Sequence, residues 1–333
     1  MAGEAMMTRP AVHLLFGMPR SGTTFLARAL ETLPGVAVFG ESDFFGRSYV
    51  RPGDDGLYDR RALAAVVAKQ STKEWSDTTG DRHHPLARIP GGTYPQLVAD
   101  ALGELAHATP RAAFDAIAAA VARHTRCATV IEKTPGHLLF VDRVATALPD
   151  VRCVASWREP SGFVRSFLGL DQRAPKAMVR MLGRLSRHTA VGVLMWRSYM
   201  RALQRARTCL GSRLMVLDYE QLRVDPTRTV ARAAAHFDLP EPTTDLGGLP
   251  RNATAQPGDA APTDLKLWLR LLANDVERGA VARAALPPTS PARALRSVTT
   301  VIPASVLFAA RVLPQVEGPL AYLRGYLGRG GAQ

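Results

Sequence analysis

Apolar positions in this chain fall into short runs separated by glycine-bearing or polar joints. Val12 to Phe16, Val36 to Phe39, Ala128 to Ile131, the run from Val151 and Arg213 to Leu217 each predict a short buried strand. Between them lie helix-like segments at Phe25 to Leu30, Tyr94 to Ala106, Arg111 to Arg123 and Gly136 to Ala147. Further helices are expected after Pro160, over residues 174–207 and from Pro226 to about Phe237. Met178, Met181, Leu182 and Leu185 line one side of the 174–207 segment and read as core or binding-site wall. Strands alternating with helices predict an α/β fold, a mainly parallel sheet flanked by helices with right-handed crossovers.

Two stretches break that rhythm. Residues 46–95 are rich in Gly, Pro, Asp and His and carry Trp75 among polar neighbours, which predicts a long functional loop or lid. Near the C-terminus, Thr263 to Arg278 has amphipathic helical spacing with Gly279 placed to end it, and Pro287, Pro288 and Pro291 mark a linker. The expected organisation is one domain over 8–280 and a basic, apolar extension over 281–333. Such a tail fits an anionic membrane surface, or docking on the body or a second subunit.

Composition narrows the ligand more than the fold. With 47% hydrophobic and 21% charged residues the chain has ample material for a core. Its 42 Lys+Arg against 29 Asp+Glu give a net charge of +13, a field suited to anionic ligands. The arginines are spread out, with no basic run interleaved with aromatics, so nucleic acid is not an expected partner. Cys127, Cys153 and Cys209 show no metal-ligand spacing, and the adjacent His83 and His84 do not share a face, so no metal is expected. Cys127 and Cys153 read as thiols in or near the core of a reducing compartment. The first residues lack the pattern of a secretory leader, and no apolar run is long enough to span a bilayer. A cytoplasmic protein is expected, with peripheral membrane contact open to its tail.

The chemistry concentrates in three motifs. Gly17-Met18-Pro19-Arg20-Ser21-Gly22-Thr23-Thr24 joins the first strand to the first helix, an order that aims backbone N–H groups and a helix N-terminus at an anion. Its spacing is that of a phosphate-binding P-loop, but Thr23 stands where an NTPase carries lysine, and Arg20 supplies the positive charge instead. The run from Val151 ends at Arg158, at the carboxyl edge where open α/β sheets bind ligands, and Ser166 follows about two turns into the next helix. Guanidinium and hydroxyl together suit a phosphate. The third motif, Val216-Leu217-Asp218-Tyr219-Glu220-Gln221-Leu222, ends the last strand.

Together these motifs resemble the PAPS-dependent sulfotransferases, enzymes that move a sulfuryl group from 3′-phosphoadenosine-5′-phosphosulfate (PAPS) to a hydroxyl or amine. Pro19 to Thr24 resembles their 5′-phosphosulfate loop, and Arg158 with Ser166 resembles their 3′-phosphate pair. Asp218 to Leu222 resembles the Tyr-Glu-Asp-Leu stretch, with Gln221 in place of aspartate; there Tyr219 is expected either beside the adenine or packed at a strand end. The likeness is to the bacterial, Golgi-like branch with arginine in the loop. It implies donor contacts from Arg20, Ser21, Gly22, Thr23, Thr24, Arg158, Ser166 and Tyr219.

It also implies a lysine at Lys133, within Glu132-Lys133-Thr134-Pro135-Gly136-His137, to meet the charge of the departing oxygen. Three side chains are candidates for the base. Glu41 follows the second strand, where related enzymes place a glutamate. His137 has a more natural pKa but falls at a helix start. Glu132 is expected to point away from Lys133 if the strand continues. Asp218 imitates a Walker B aspartate, so a P-loop kinase is the first alternative. A non-catalytic anion- or membrane-binding protein on the same fold is the second. The acceptor, whether glycan, lipid, peptide or secondary metabolite, is not readable from the chain.

Overall fold

A computed structural model describes residues 9–46, 48–71, 93–168, 189–242, 246 and 262–272. The chain divides into two compact units, residues 1–158 with 199–252, and residues 159–198 with 253–333.

The first unit is built on five parallel strands: β1 (Ala11–Gly17), β2 (Val36–Gly40), β3 (Thr129–Lys133), β4 (Arg152–Trp157) and β5 (Leu214–Asp218). Their order across the sheet is β2-β3-β1-β4-β5. The chain leaves β1 toward one side of the sheet and later leaves β4 toward the other. The crevice at the carboxyl ends of β1 and β4 is therefore the switch point of the topology, where such sheets bind ligands. Register puts Gly17 opposite Ser156, Lys133 opposite both Leu15 and Gly40, and Trp157 opposite Asp218.

Alternation along the strands feeds two cores. Leu15, Val36, Val38, Ile131, Val154 and Leu217 join Leu26 and Leu30 of α1 (Thr23–Glu31) in one buried cluster. On the other face Phe39 packs on Phe114 of α4 (Pro110–Thr125), which Phe44 and Phe45 also meet. Helix α4 begins as its sequence directs, with the Thr109 hydroxyl accepting from the Ala112 N–H and Pro110 in the first turn. Cys127 and Cys153 are buried, as expected, whereas Cys209 is exposed.

The mainly parallel α/β architecture read from the sequence is the one observed. Within residues 46–95, however, there is a helix, α2 (Arg60–Ser71), followed by α3 (Thr93–Gly103). Helix α2 buries Leu63, Val66 and Gln70 along one side, a stripe too short to stand out from its Gly- and Asp-rich surroundings. The helix expected from Gly136 instead opens as a 3₁₀ turn, Pro135–Phe140, and continues as α5 (Val141–Ala147).

In the second unit, α6 (Pro160–Leu168) is capped by the Glu159 carboxylate, which accepts from the N–H groups of Ser161 and Gly162. Gly192 of α7 (Thr189–Leu210) faces Val164 and Phe167 of α6. Thr189 donates to Asp264, which also accepts from the indole of Trp268 on α10 (Leu265–Leu272). The remaining helices, α8 (Tyr219–Val224) and α9 (Pro226–His236), belong to the first unit. The Met178 to Leu185 stripe, His83, His84, Trp75 and the expected extension over 281–333 lie outside the described residues.

Candidate active site at the carboxyl edge

The loop after β1 is shaped by two close approaches of backbone. Gly17, at φ 149°, lies so near β4 that a Cβ there would stand 2.2 Å from the Ser156 carbonyl oxygen. The Met18 N–H donates to that same oxygen at 2.9 Å. Arg20 (φ 67°) and Gly22 (φ 83°) then take left-handed conformations that turn the chain into α1. No side chain caps α1, and no acidic residue stands in its first turn. Its leading N–H groups and the positive end of its dipole are thus left for an anion. Thr23 is buried and Thr24 half-buried at this end.

Ser21, expected among the ligand contacts, turns its hydroxyl inward. It donates to the Met18 carbonyl at 2.6 Å and sits 2.6 Å from Ser156 Oγ, fully buried. Its side chain ties the loop to β4.

Arg158 follows β4 and is nearly buried, donating from Nη1 to the Arg20 carbonyl at 3.3 Å. Its guanidinium lies 4.1 Å over the ring of Tyr219. The same ring packs on the loop, since a Cβ on Gly22 would meet Tyr219 Cδ2 at 3.2 Å. These contacts place the Tyr219 ring at the end of β5, between the loop and Arg158. Asp218 accepts from the Glu220 N–H at 2.9 Å and so caps α8 in the manner of an N-cap aspartate. Ser166, in α6 of the second unit, is buried.

Lys133 and Glu41 meet on the other side of β1. The Lys133 side chain is 2% exposed, yet its ammonium reaches Oε1 of Glu41 at 2.7 Å, and the Glu41 side chain is 55% exposed. The Glu41 N–H also donates to the Lys133 carbonyl at 2.7 Å. Glu41 takes φ 49° and Asp43 φ 52°, so the chain leaves β2 through a tight left-handed turn. A cation with a buried stem and a carboxylate open to solvent stand together on neighbouring strand ends.

Glu132 faces away from this pair, as strand alternation requires. Its fully buried carboxylate accepts from the Ser42 hydroxyl at 2.6 Å and from the Thr134 hydroxyl. His137 Nδ1 lies 3.0 Å from its other oxygen. Burial pushes the Glu132 carboxyl up, but its pairing with His137 and the two hydroxyls outweighs burial, and the net shift is downward. His137 is fully buried too, and its Nε2 accepts from the Phe45 N–H at 3.3 Å. Both ring nitrogens of His137 face protein groups.

An uncapped helix N-terminus, two arginines and a lysine thus stand at one edge of the sheet. Among the described residues, no group of three or more His, Cys, Asp or Glu side chains could hold a metal ion, and no helix is long and apolar enough to cross a membrane. The chain belongs to the Sulfotransferase family, whose sequence profile matches residues 14–244. Among solved structures it is similar to a sulfotransferase from Alicyclobacillus acidocaldarius, at 15% identity over 74% of this chain and 88% of that one, with a TM-score of 0.40. It is also similar to the sulfotransferase domain from the curacin biosynthetic pathway (13% identity, 84% and 99% coverage, TM-score 0.42). Sulfotransferase STF1 from Mycobacterium tuberculosis H37Rv matches at 17% identity over 72% of this chain and 70% of that one, with a TM-score of 0.43. No curated protein matches the chain.

Proposed function

We propose that this protein moves the sulfuryl group of PAPS to a hydroxyl of an acceptor by in-line displacement. The observation that carries the reading is the Lys133–Glu41 pair at 2.7 Å, set at the same sheet edge as the uncapped α1 N-terminus. The residues of the first unit fit the donor: loop amides and Arg20 suit the 5′-phosphosulfate, and the Arg158 guanidinium suits the 3′-phosphate. Glu41 takes the acceptor's proton as the new S–O bond forms. Lys133 shifts its hydrogen bond from Glu41 to the bridging oxygen, meeting the charge that collects there as the old S–O bond breaks. A kinase reading loses its main support, because the Asp218 carboxylate caps a helix. Acceptor recognition is assigned to residues 42–95 and 174–207.

The test is to incubate the protein with PAPS and producer-cell extract and to seek a product carrying one added sulfate by mass spectrometry. Glu41→Gln is expected to lower turnover by about two to four orders of magnitude with donor affinity nearly unchanged, and Lys133→Ala by about a hundredfold or more. Binding of ATP with magnesium in preference to PAPS, or full turnover in Glu41→Gln, overturns the reading.

A further inference from the structure

The turn that carries Glu41 is held from below by buried polar groups far away in sequence. Its backbone is strained at two non-glycine positions, Glu41 and Asp43, and such conformations persist only where the surroundings over-determine them. Ser42, between them, is 1% exposed and donates its hydroxyl to Glu132 at 2.6 Å. The Ser42 hydroxyl also accepts from the Phe44 N–H at 3.3 Å, and its carbonyl accepts from Gln70 Nε2 of α2 at 3.0 Å. Gln70 is oriented in turn by the Tyr94 hydroxyl at 3.2 Å. Thr134, the second hydroxyl on Glu132, accepts from the Asp43 N–H at 3.2 Å, and His137 accepts from the Phe45 N–H. Apart from the Tyr94–Gln70 contact, each of these hydrogen bonds ends on residues 42–45 or on the Glu132 carboxylate.

We propose that Glu132 is a positioning residue for Glu41: its buried carboxylate, acting through Ser42, holds the left-handed turn that sets Glu41 against Lys133. Strand β3 thus presents Lys133 to the site from one face and the support for its partner from the other. The conclusion rests on Glu41 being the base proposed above. A buried carboxylate that accepts from two hydroxyls, with an imidazole nitrogen 3.0 Å from its other oxygen, gives the turn a fixed anchor, and geometry held within a fraction of an ångström is what a proton-transferring group requires.

The test uses the full chain without substrate. In Ser42→Ala, which deletes one hydroxyl, amide exchange over residues 41–46 followed by mass spectrometry is expected to accelerate about tenfold or more, with β1 and α1 changed less than about twofold. The ¹⁵Nζ resonance of Lys133 should shift in Ser42→Ala as it does in Glu41→Gln. Glu132→Gln should reproduce both effects, and if it does not fold, Ser42→Ala alone carries the test. Unchanged exchange over 41–46, equal acceleration throughout the sheet, or an unmoved Lys133 resonance overturns the proposal. Binding of the product nucleotide 3′-phosphoadenosine-5′-phosphate (PAP), measured alongside, should stay within about twofold of wild type. A wild type that does not bind PAP counts against the sulfotransferase reading, while the exchange data still decide the role of Glu132.

Discussion

The two sides of the switch point are made from different material. Beside β4, the loop after β1 is a backbone object: Gly17 lets two strands' backbones close in, left-handed Arg20 and Gly22 turn the chain, and Ser21 locks it to Ser156. Beside β3, the Glu41 turn is a side-chain object, held by Glu132, Thr134, His137 and Gln70 from separate elements. A ligand's charge can be met by amides that need no particular side chain, so the first site is encoded locally. The Glu41 turn is instead set by buried polar groups over long sequence distances.

The sharpest way to break the first side is Gly17→Ala. A methyl group 2.2 Å from a backbone carbonyl cannot be relieved by a rotamer change, so the strands must part. We expect a loss of about 4 kcal/mol or more, read as a fall in the denaturant midpoint or as failure to fold. On the second side, Glu132→Ala strips the hydroxyls and His137 of their buried partner and should cost about 3–5 kcal/mol in denaturant unfolding. Acid should act on the same group. Its carboxyl titrates below the ordinary glutamate range when folded, so its contribution is complete above about pH 4.3 and is lost as pH falls below it. Glu132→Gln should therefore show a shallower decline of stability with acid than wild type, measured by urea midpoints across that range.

These contrasts also mark what the chain discloses on inspection. The strand, glycine-bounded loop and helix at Gly17 to Thr24 are neighbours in sequence, so spacing and residue type suffice to place them. Lys133 is legible as a polar residue closing an apolar run, and the inward direction of Glu132 follows from strand alternation. The pairing of Ser42 with Glu132 spans 90 residues, and that of Ser21 with Ser156 spans 135; no local pattern announces either. Nor does any local pattern announce the full burial of His137 or its acceptance of the Phe45 N–H.

Two smaller effects sharpen the comparison. Arg158→Ala should weaken PAP binding by about ten- to a hundredfold, the value of a charge-assisted hydrogen bond, and should erase any preference over the analogue lacking the 3′-phosphate. Calorimetric titration of both nucleotides reads this directly, and equal binding of the two by wild type removes Arg158 from that role. Ser21→Ala removes the hydroxyl that bridges Met18 and Ser156 and should lower stability by only about 1 kcal/mol in a thermal melt. A large loss of donor affinity in that variant, without a change in stability, would instead return the hydroxyl to the ligand.

The placement of β1 at the centre of the sheet bears on how the molecule is made. Its neighbours are Thr129–Lys133 and Arg152–Trp157, and His13 pairs with Arg152, a separation of 139 residues. During synthesis at roughly 5–20 residues per second, β1 waits on the order of ten seconds for its second neighbour. Its apolar run, Leu14 to Phe16, has both backbone edges open until β3 emerges and one edge open until β4 follows. Yield in a heterologous host should therefore depend on translation rate and on chaperones that shield nascent chains, and a codon-slowed first half should accumulate more aggregate than one translated quickly.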